Sequence, residues 1–248
     1  MEGQRGSEEK PGSPTRAAYA VIAARGGSKR IPRKNVREFI GVPILSRVIS
    51  TLQETGVFEQ IIVSTDSPEI KRLAESAGAE VPFLRPSTLS SDNSPTIDVA
   101  NHAISYLCQQ GAGPDSDFLL TYPTAVLMKP HQLIEARLLL EDDMCDFVFA
   151  GAPFPSEIQR AWWKKERGFV HPVFEGQQLI RSQDLETAYY DAGQFYWSSS
   201  EGWSEPTVVR GERRRIYEIG QLDAVDINTE EDWIRAEALF RLQSSSGF

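Results

Sequence analysis

The segment Ala23–Asn35 reads Ala-Ala-Arg-Gly-Gly-Ser-Lys-Arg-Ile-Pro-Arg-Lys-Asn and carries five cations, Arg25, Lys29, Arg30, Arg33 and Lys34, with no acid among them. It follows the apolar run Tyr19–Ala24 directly. A Gly-Gly turn at the end of a strand exposes backbone N–H groups, and with cations around them it can surround a polyphosphate. The pattern is neither a P-loop, which needs a second Gly before Lys-Ser/Thr, nor the Gly-x-Gly-x-x-Gly dinucleotide fingerprint. The loop runs on to Pro32 and Asn35 without opening into a helix, so side chains, with Arg25, Ser28, Lys29 and Lys34 foremost, must do most of the gripping. The plain alternative is a solvated basic turn.

Two later segments also carry chemistry. Arg181-Ser182-Gln183-Asp184-Leu185 and Ala188–Phe195, which includes Asp191 and Gln194, concentrate polar groups before a strand. They can line a site for a polar substrate such as a sugar, or form a salt-bridged surface loop. In Ala224-Val225-Asp226-Ile227-Asn228 an apolar strand ends in an acid, and the i, i+2 spacing of Asp226 and Asn228 puts both side chains on one face. Two hard oxygen ligands together with substrate phosphates suffice for Mg²⁺. The acids beyond are structural: Thr229 and Asp232 form a capping box, and Glu230 and Glu231 lie in a helix first turn. The three histidines, His102, His131 and His171, single out no catalytic base; metal-assisted deprotonation stands beside a side-chain base.

Alternating elements must position these groups. Tyr19–Ala24 is strand-like. Pro43 starts a helix with Ile44, Leu45, Val48, Ile49 and Leu52 at helical spacing, ended by Gly56. Gln60–Ser64 is a strand, and Ser67-Pro68 starts a helix that ends before Gly78. Glu80–Leu84 reads as a short strand, Ser94-Pro95 as a helix start, Asp117–Thr121 as a strand, Pro130–Glu141 as a helix and Phe147–Ala150 as a strand. This alternation predicts an α/β fold: a Rossmann-like, mainly parallel sheet with helices on both faces, whose ligands bind beyond the carboxyl ends of the strands. From Ala152 to about 190, prolines and the pair Trp162-Trp163 break the rhythm and suggest an excursion that packs on a partner subunit or covers a ligand. Gly193–Ser198, Thr207–Val209 and Leu222–Ile227 read as late strands, and Thr229–Leu242 as the closing helix.

The composition sets bounds. The 248 residues are 40% hydrophobic and 25% charged, as in an ordinary globular protein. One domain is expected over 18–242, with residues 1–17 a disordered leader and 243–248 a frayed tail. The net charge of −9 argues against nucleic acid as a partner and leaves the basic loop as a site for a small anion. No apolar run approaches the ~18 residues of a membrane helix. Two cysteines, Cys108 and Cys145, show no metal-ligand or disulfide spacing and fit a cytoplasmic protein.

The long motif Ala23–Asn35, with Val63-Ser64-Thr65-Asp66, Leu84-Arg85-Pro86, Tyr122-Pro123-Thr124 and Asp226-Ile227, resembles the cytidylyltransferases that activate nonulosonic (sialic-type) acids. Within them, Ile158-Gln159-Arg160-Ala161, Arg181–Leu185 and Asp191–Trp197 are similar to the enzymes acting on pseudaminic acid. The resemblance covers about Tyr19 to Leu242. It implies transfer of CMP from CTP to the anomeric hydroxyl of an acidic nine-carbon sugar, with Mg²⁺ as cofactor and pyrophosphate as product; the homodimer expected beside it rests on the aromatic excursion, read as a dimerisation arm. By position, Arg25, Ser28, Lys29 and Lys34 would hold the triphosphate, and Asn35, Arg85 and Thr96 the cytidine. Gln159, Arg160, Arg181, Gln183, Asp191 and Gln194 would face the sugar, and Asp226 with Asn228 the metal; Lys29, Arg25 and Asp226 would carry catalysis. Asn228 stands where the family has Asp, and Glu157, Thr187 and Tyr190 replace Pro, Pro and His. These departures leave open another acidic sugar, N-acetylneuraminic, legionaminic or 3-deoxy-octulosonic acid, and a nucleotide-binding regulatory homologue with weakened turnover.

Overall fold

The computed structural model describes residues 16–91, 94–205 and 211–246. The Thr207–Val209 strand expectation and residues 1–15 of the expected leader lie outside them.

The first strand, β1 (Ala18–Ala23), pairs in parallel with β4 (Gln60–Ser64) on one side and β5 (Asp117–Thr121) on the other. Between β1 and β4 come a two-residue hairpin, β2 (Glu38–Phe39) with β3 (Val42–Pro43), and helix α1 (Ile44–Thr55). Gly56, at φ 65°, closes α1 in the left-handed conformation that glycine adopts without a Cβ penalty. Helix α2 (Pro68–Ser76) follows, with the Ser67 side chain accepting from the Ile70 N–H as its cap. Next are α3 (Thr96–Gln109), α4 (Pro130–Leu138), continued as a 3-10 turn to Glu141, and β6 (Phe147–Pro153).

The excursion contains a hairpin, β7 (Trp162–Lys164) against β8 (Val170–Pro172). The chain then enters β9 (Tyr189–Ser199), the short helix α5 (Ser200–Ser204), β10 (Arg214–Glu218) and the closing helix α6 (Glu230–Ser246). Among the described residues the main sheet has six strands, in the order β10-β6-β9-β5-β1-β4. It is parallel except for β9, which runs antiparallel to both β5 and β6. The α/β architecture read from the sequence is therefore present, and among the described residues no helix is long and apolar enough to cross a membrane.

Strand alternation divides the core. Ala20, Ile22, Val63, Leu119 and Trp197 face α1, α4 and α6, whereas Val21, Ile62, Phe118 and Leu120 face α3 and α5. Helix α6 docks through Trp233, which is 2% exposed and meets Phe39 edge-on at 5.5 Å, with the Arg37 guanidinium 4.3 Å above its ring. At the start of β5 the buried pair Arg137–Asp117, at 2.9 Å, ties α4 to the sheet.

Three sequence expectations are corrected. Glu80–Leu84 is no strand; Glu80 and Leu84 make isolated bridges to Ile62 and Thr65, and Pro82, without an N–H, interrupts any ladder. Leu222–Ile227 is an irregular segment after a turn closed by the Asp223 N–H on the Gly220 carbonyl. The strand in this region is β10, whose sequence Arg-Arg-Ile-Tyr-Glu is polar because it forms an exposed sheet edge. Finally, helix α6 extends into the expected tail as far as Ser246: the Gln243 amide donates to Asp223 Oδ1 at 2.7 Å and to the Leu222 carbonyl.

Replacing Trp233 with Ala empties the contact that seats α6. The variant is expected to lose about 3–5 kcal/mol of stability, measured by equilibrium urea unfolding.

Candidate functional site

The carboxyl ends of β1, β4 and β5 open onto a cleft of about 370 Å³. One wall is the basic loop. Its Gly26 N–H donates to Asp66 Oδ1 at 2.7 Å, which fastens the turn to the corner after β4. The Asn35 amide, buried, donates to the Arg25 carbonyl at 2.8 Å and closes the loop on itself. Lys34 Nζ reaches across to the Ile227 carbonyl at 2.7 Å, and Arg30 donates to Asn228 Oδ1 at 2.6 Å. The loop is thus bonded to a segment nearly two hundred residues away in the chain.

Arg25, Ser28, Lys29, Lys34, Asn35, Arg85, Thr96, Asp226 and Asn228 all line this cleft. Arg85 is buried and donates from its Nε to Ser64 Oγ at 3.1 Å and from Nη2 to the Ser64 carbonyl, so the end of β4 sets its position. Burial pushes the Arg85 pKa down, with the Asp66 charge opposing. Burial, aided by the nearby Arg30 and Arg25 cations and opposed by Asp226, also pushes Lys34 down. Cations held this close without full solvation favour an incoming anion.

The far wall comes from β9, whose amino-terminal half lies at this end because the strand runs antiparallel: Thr121 at the end of β5 faces Phe195. Gly193, at φ +65°, donates its N–H to Asp191 Oδ1 at 2.8 Å. A Cβ at Gly193 would stand 3.3 Å from Asp226 Cγ, so the glycine makes room for that carboxylate. The Tyr196 hydroxyl donates to the Asp191 carboxylate at 3.0 Å, and Tyr122 donates to Thr96 Oγ1 at 3.3 Å. Protein packed around Asp191, more than the Asp226 charge, raises its carboxyl pKa, while the Gly193 and Tyr196 bonds oppose the rise. Burial raises Tyr122 and Tyr196 as well, keeping both as neutral donors.

The two residues expected to hold a metal are placed differently. Asp226 faces the cleft, but the Asn228 side chain is engaged: its oxygen accepts from Arg30 and its nitrogen donates to Asp226. With residues 224–228 irregular, the i, i+2 alternation of a strand no longer sets their orientation. Among the described residues no three His, Cys, Asp or Glu gather as a metal cluster. Asp226, cradled by Gly193, still suits a hard cation that takes its other oxygens from substrate phosphates and water.

The residues expected to face a sugar are dispersed. Asp191 joins the cleft through Tyr196. Gln194 is a correction: it is fully buried, its side-chain amide donating to the Asp223 carbonyl while its backbone carbonyl accepts from the Thr121 hydroxyl. It falls on the core-facing side of β9, which local polarity could not reveal. Gln159 and Arg160 are engaged within the excursion, with the Glu186 and Ile180 carbonyls, and Arg181 and Gln183 are exposed there, outside the cleft lining. Sequence reasoning gave no role to Arg30, Tyr122 or Tyr196, although Arg30 lies in the basic motif and the two tyrosines lie in motifs that carried the resemblance.

A sequence model of the cytidylyltransferase family matches residues 19–126, which hold the basic loop and Arg85. A pseudaminic acid cytidylyltransferase of Campylobacter jejuni is 35% identical over 228 residues, spanning 92% of this chain and 98% of that protein. A CMP-N,N'-diacetyllegionaminic acid synthase of Legionella pneumophila is 28% identical, spanning 92% of this chain and 97% of that protein. Among solved structures, a CMP:2-keto-3-deoxy-manno-octonic acid synthetase complexed with CTP shares the fold at a TM-score of 0.68 and 14% identity, with 92% of this chain and 99% of that one aligned. Identity of this level along nearly the full length of both proteins establishes kinship: the chain belongs to the pseudaminic acid cytidylyltransferase family.

Proposed function

We propose that this protein joins CMP from CTP to the anomeric hydroxyl of pseudaminic acid and releases pyrophosphate. The observation that carries this reading is the cleft itself, with Arg25, Ser28, Lys29 and Arg85 opposite Asp226 at the carboxyl ends of parallel strands. In the transfer, the anomeric oxygen loses its proton and attacks the α-phosphorus, and the bond to the bridging oxygen of pyrophosphate breaks. Such steps depend on positioning and on cations that neutralise charge around the reacting phosphate. Arg25, Ser28 and Lys29 hold the triphosphate, while Arg85 and Thr96 define the end of the cleft for cytidine. Asn35 and Lys34, bonded to Arg25 and Ile227, shape the loop around it. Asp226 would hold Mg²⁺, which when bound supplies positive charge at the α-phosphate. Pseudaminic acid is preferred over the legionaminic type because identity to the first enzyme exceeds identity to the second over equal shares of this chain.

The reading extends to a cytoplasmic homodimer. The excursion displays Trp162, Trp163, Phe169 and Val170, each more than half exposed, next to the polar set Gln159, Arg160, Arg181 and Gln183. Aromatic surface of this kind is costly in water and suits a second copy. The two cysteines are free, as a reducing compartment keeps them.

Pyrophosphate release with CTP, Mg²⁺ and pseudaminic acid is expected, and should exceed release with N-acetylneuraminic or legionaminic acid. Turnover confined to another sugar replaces the acceptor. CTP binding by calorimetry without release from any acidic sugar makes the protein a regulatory homologue. Lys29→Ala should lower kcat by about 10²–10³-fold with an unchanged circular-dichroism spectrum; wild-type rates would remove Lys29 from the reaction. Light scattering should show a dimer that Trp162→Asp with Trp163→Asp converts to monomer, and a monomeric wild type would refute the interface.

A further inference from the structure

Asn228 stands between the two charged walls of the cleft, and its amide touches both. Its Oδ1 accepts from Arg30 Nη2 at 2.6 Å, and its Nδ2 donates to Asp226 Oδ2. Only this orientation is electrostatically sound: turning the amide over would set its NH₂ against a guanidinium and its oxygen against a carboxylate. An aspartate here could accept from Arg30 but would have no hydrogen for Asp226, and its charge would repel that neighbour. A neutral amide is the group that links a cation to an anion.

The backbone at this point is fixed independently. The Asn228 and Thr229 N–H groups donate to Asp232 Oδ2 at 3.0 and 2.8 Å, the Ile227 carbonyl accepts from Lys34, and Asp226 backs onto Gly193. Because the main chain is held without it, the Asn228 side chain is left to orient Arg30 and Asp226.

We propose that Asn228 is a positioning residue whose amide couples Arg30 of the basic loop to Asp226 and so sets the spacing between the triphosphate-binding cations and the acid, independently of any metal. The proposal rests on the CTP reading above. It differs from the expectation that Asn228 is itself a metal ligand, since its oxygen sits 2.6 Å from the Arg30 guanidinium, whose charge opposes a second cation there.

Calorimetric titration of CTP into wild type, Arg30→Ala, Asn228→Ala and the double variant, each in EDTA and in Mg²⁺, tests it. Each single variant should weaken CTP binding by about tenfold in both buffers, as expected for loss of a hydrogen bond to a charged group. In the Arg30→Ala background, Asn228→Ala should add less than about twofold, because the two residues act as one unit. Thermal melts check folding, and Asn228→Ser replaces Asn228→Ala if the latter is unfolded. Multiplicative effects, no effect of Asn228→Ala, or a loss seen only with Mg²⁺ would each overturn the coupling while leaving CTP binding intact. Absence of CTP binding by wild type would instead overturn the functional reading, and the coupling with it.

Discussion

Five cations packed into one loop repel each other, and the structure depends on how that repulsion is contained. The loop is bonded to fixed partners on both sides: Gly26 to Asp66 after β4, Lys34 to the Ile227 carbonyl, and Arg30 to Asn228. Residual repulsion persists, for Arg25 and Arg30 still add to the burial that depresses Lys34. A bound polyphosphate would relieve that repulsion by supplying negative charge beside these cations. The loop is therefore organised before its ligand arrives, which lowers the ordering cost of binding.

The sheet supplies both anchors. Parallel strands β1, β4 and β5 bring their carboxyl ends to one edge, where Ser64 fixes Arg85 and Asp66 fixes the Gly-Gly turn. Reversal of β9 then delivers Asp191, Gly193 and Tyr196 to the same edge from a segment far along the chain. With all strands parallel, this part of β9 would lie at the opposite end of the sheet. One reversed strand thus lets an otherwise ordinary parallel sheet close its cleft with carboxylates opposite cations.

The excursion stands apart from this cleft. Its hairpin exposes aromatic side chains, and its polar residues bond to the excursion's own carbonyls. The residues expected to hold the nucleotide thus lie at the sheet edge, whereas Gln159, Arg160, Arg181 and Gln183, expected to face the sugar, lie on an arm that leaves the body between β6 and β9. Loops and arms borne by a rigid scaffold are where differences in substrate are most readily accommodated.

Local pattern determined much of this protein. The apolar runs and helix stops located β1, β4, β5, β6 and five helices, because periodicity and capping are decided by near neighbours. The basic motif located one wall of the cleft, because it directly follows an apolar strand whose carboxyl end opens there. Tertiary structure decided the rest. Glu80–Leu84 and Leu222–Ile227 have strand-like composition but form no continuous ladder, and polar β10 is a strand because it has a neighbour in β6. Gln194 proved a core residue and Asn228 a bridge between Arg30 and Asp226, since a polar side chain's role depends on partners tens to hundreds of residues distant. The order of residues showed that charges were present; only the fold could show which of them meet.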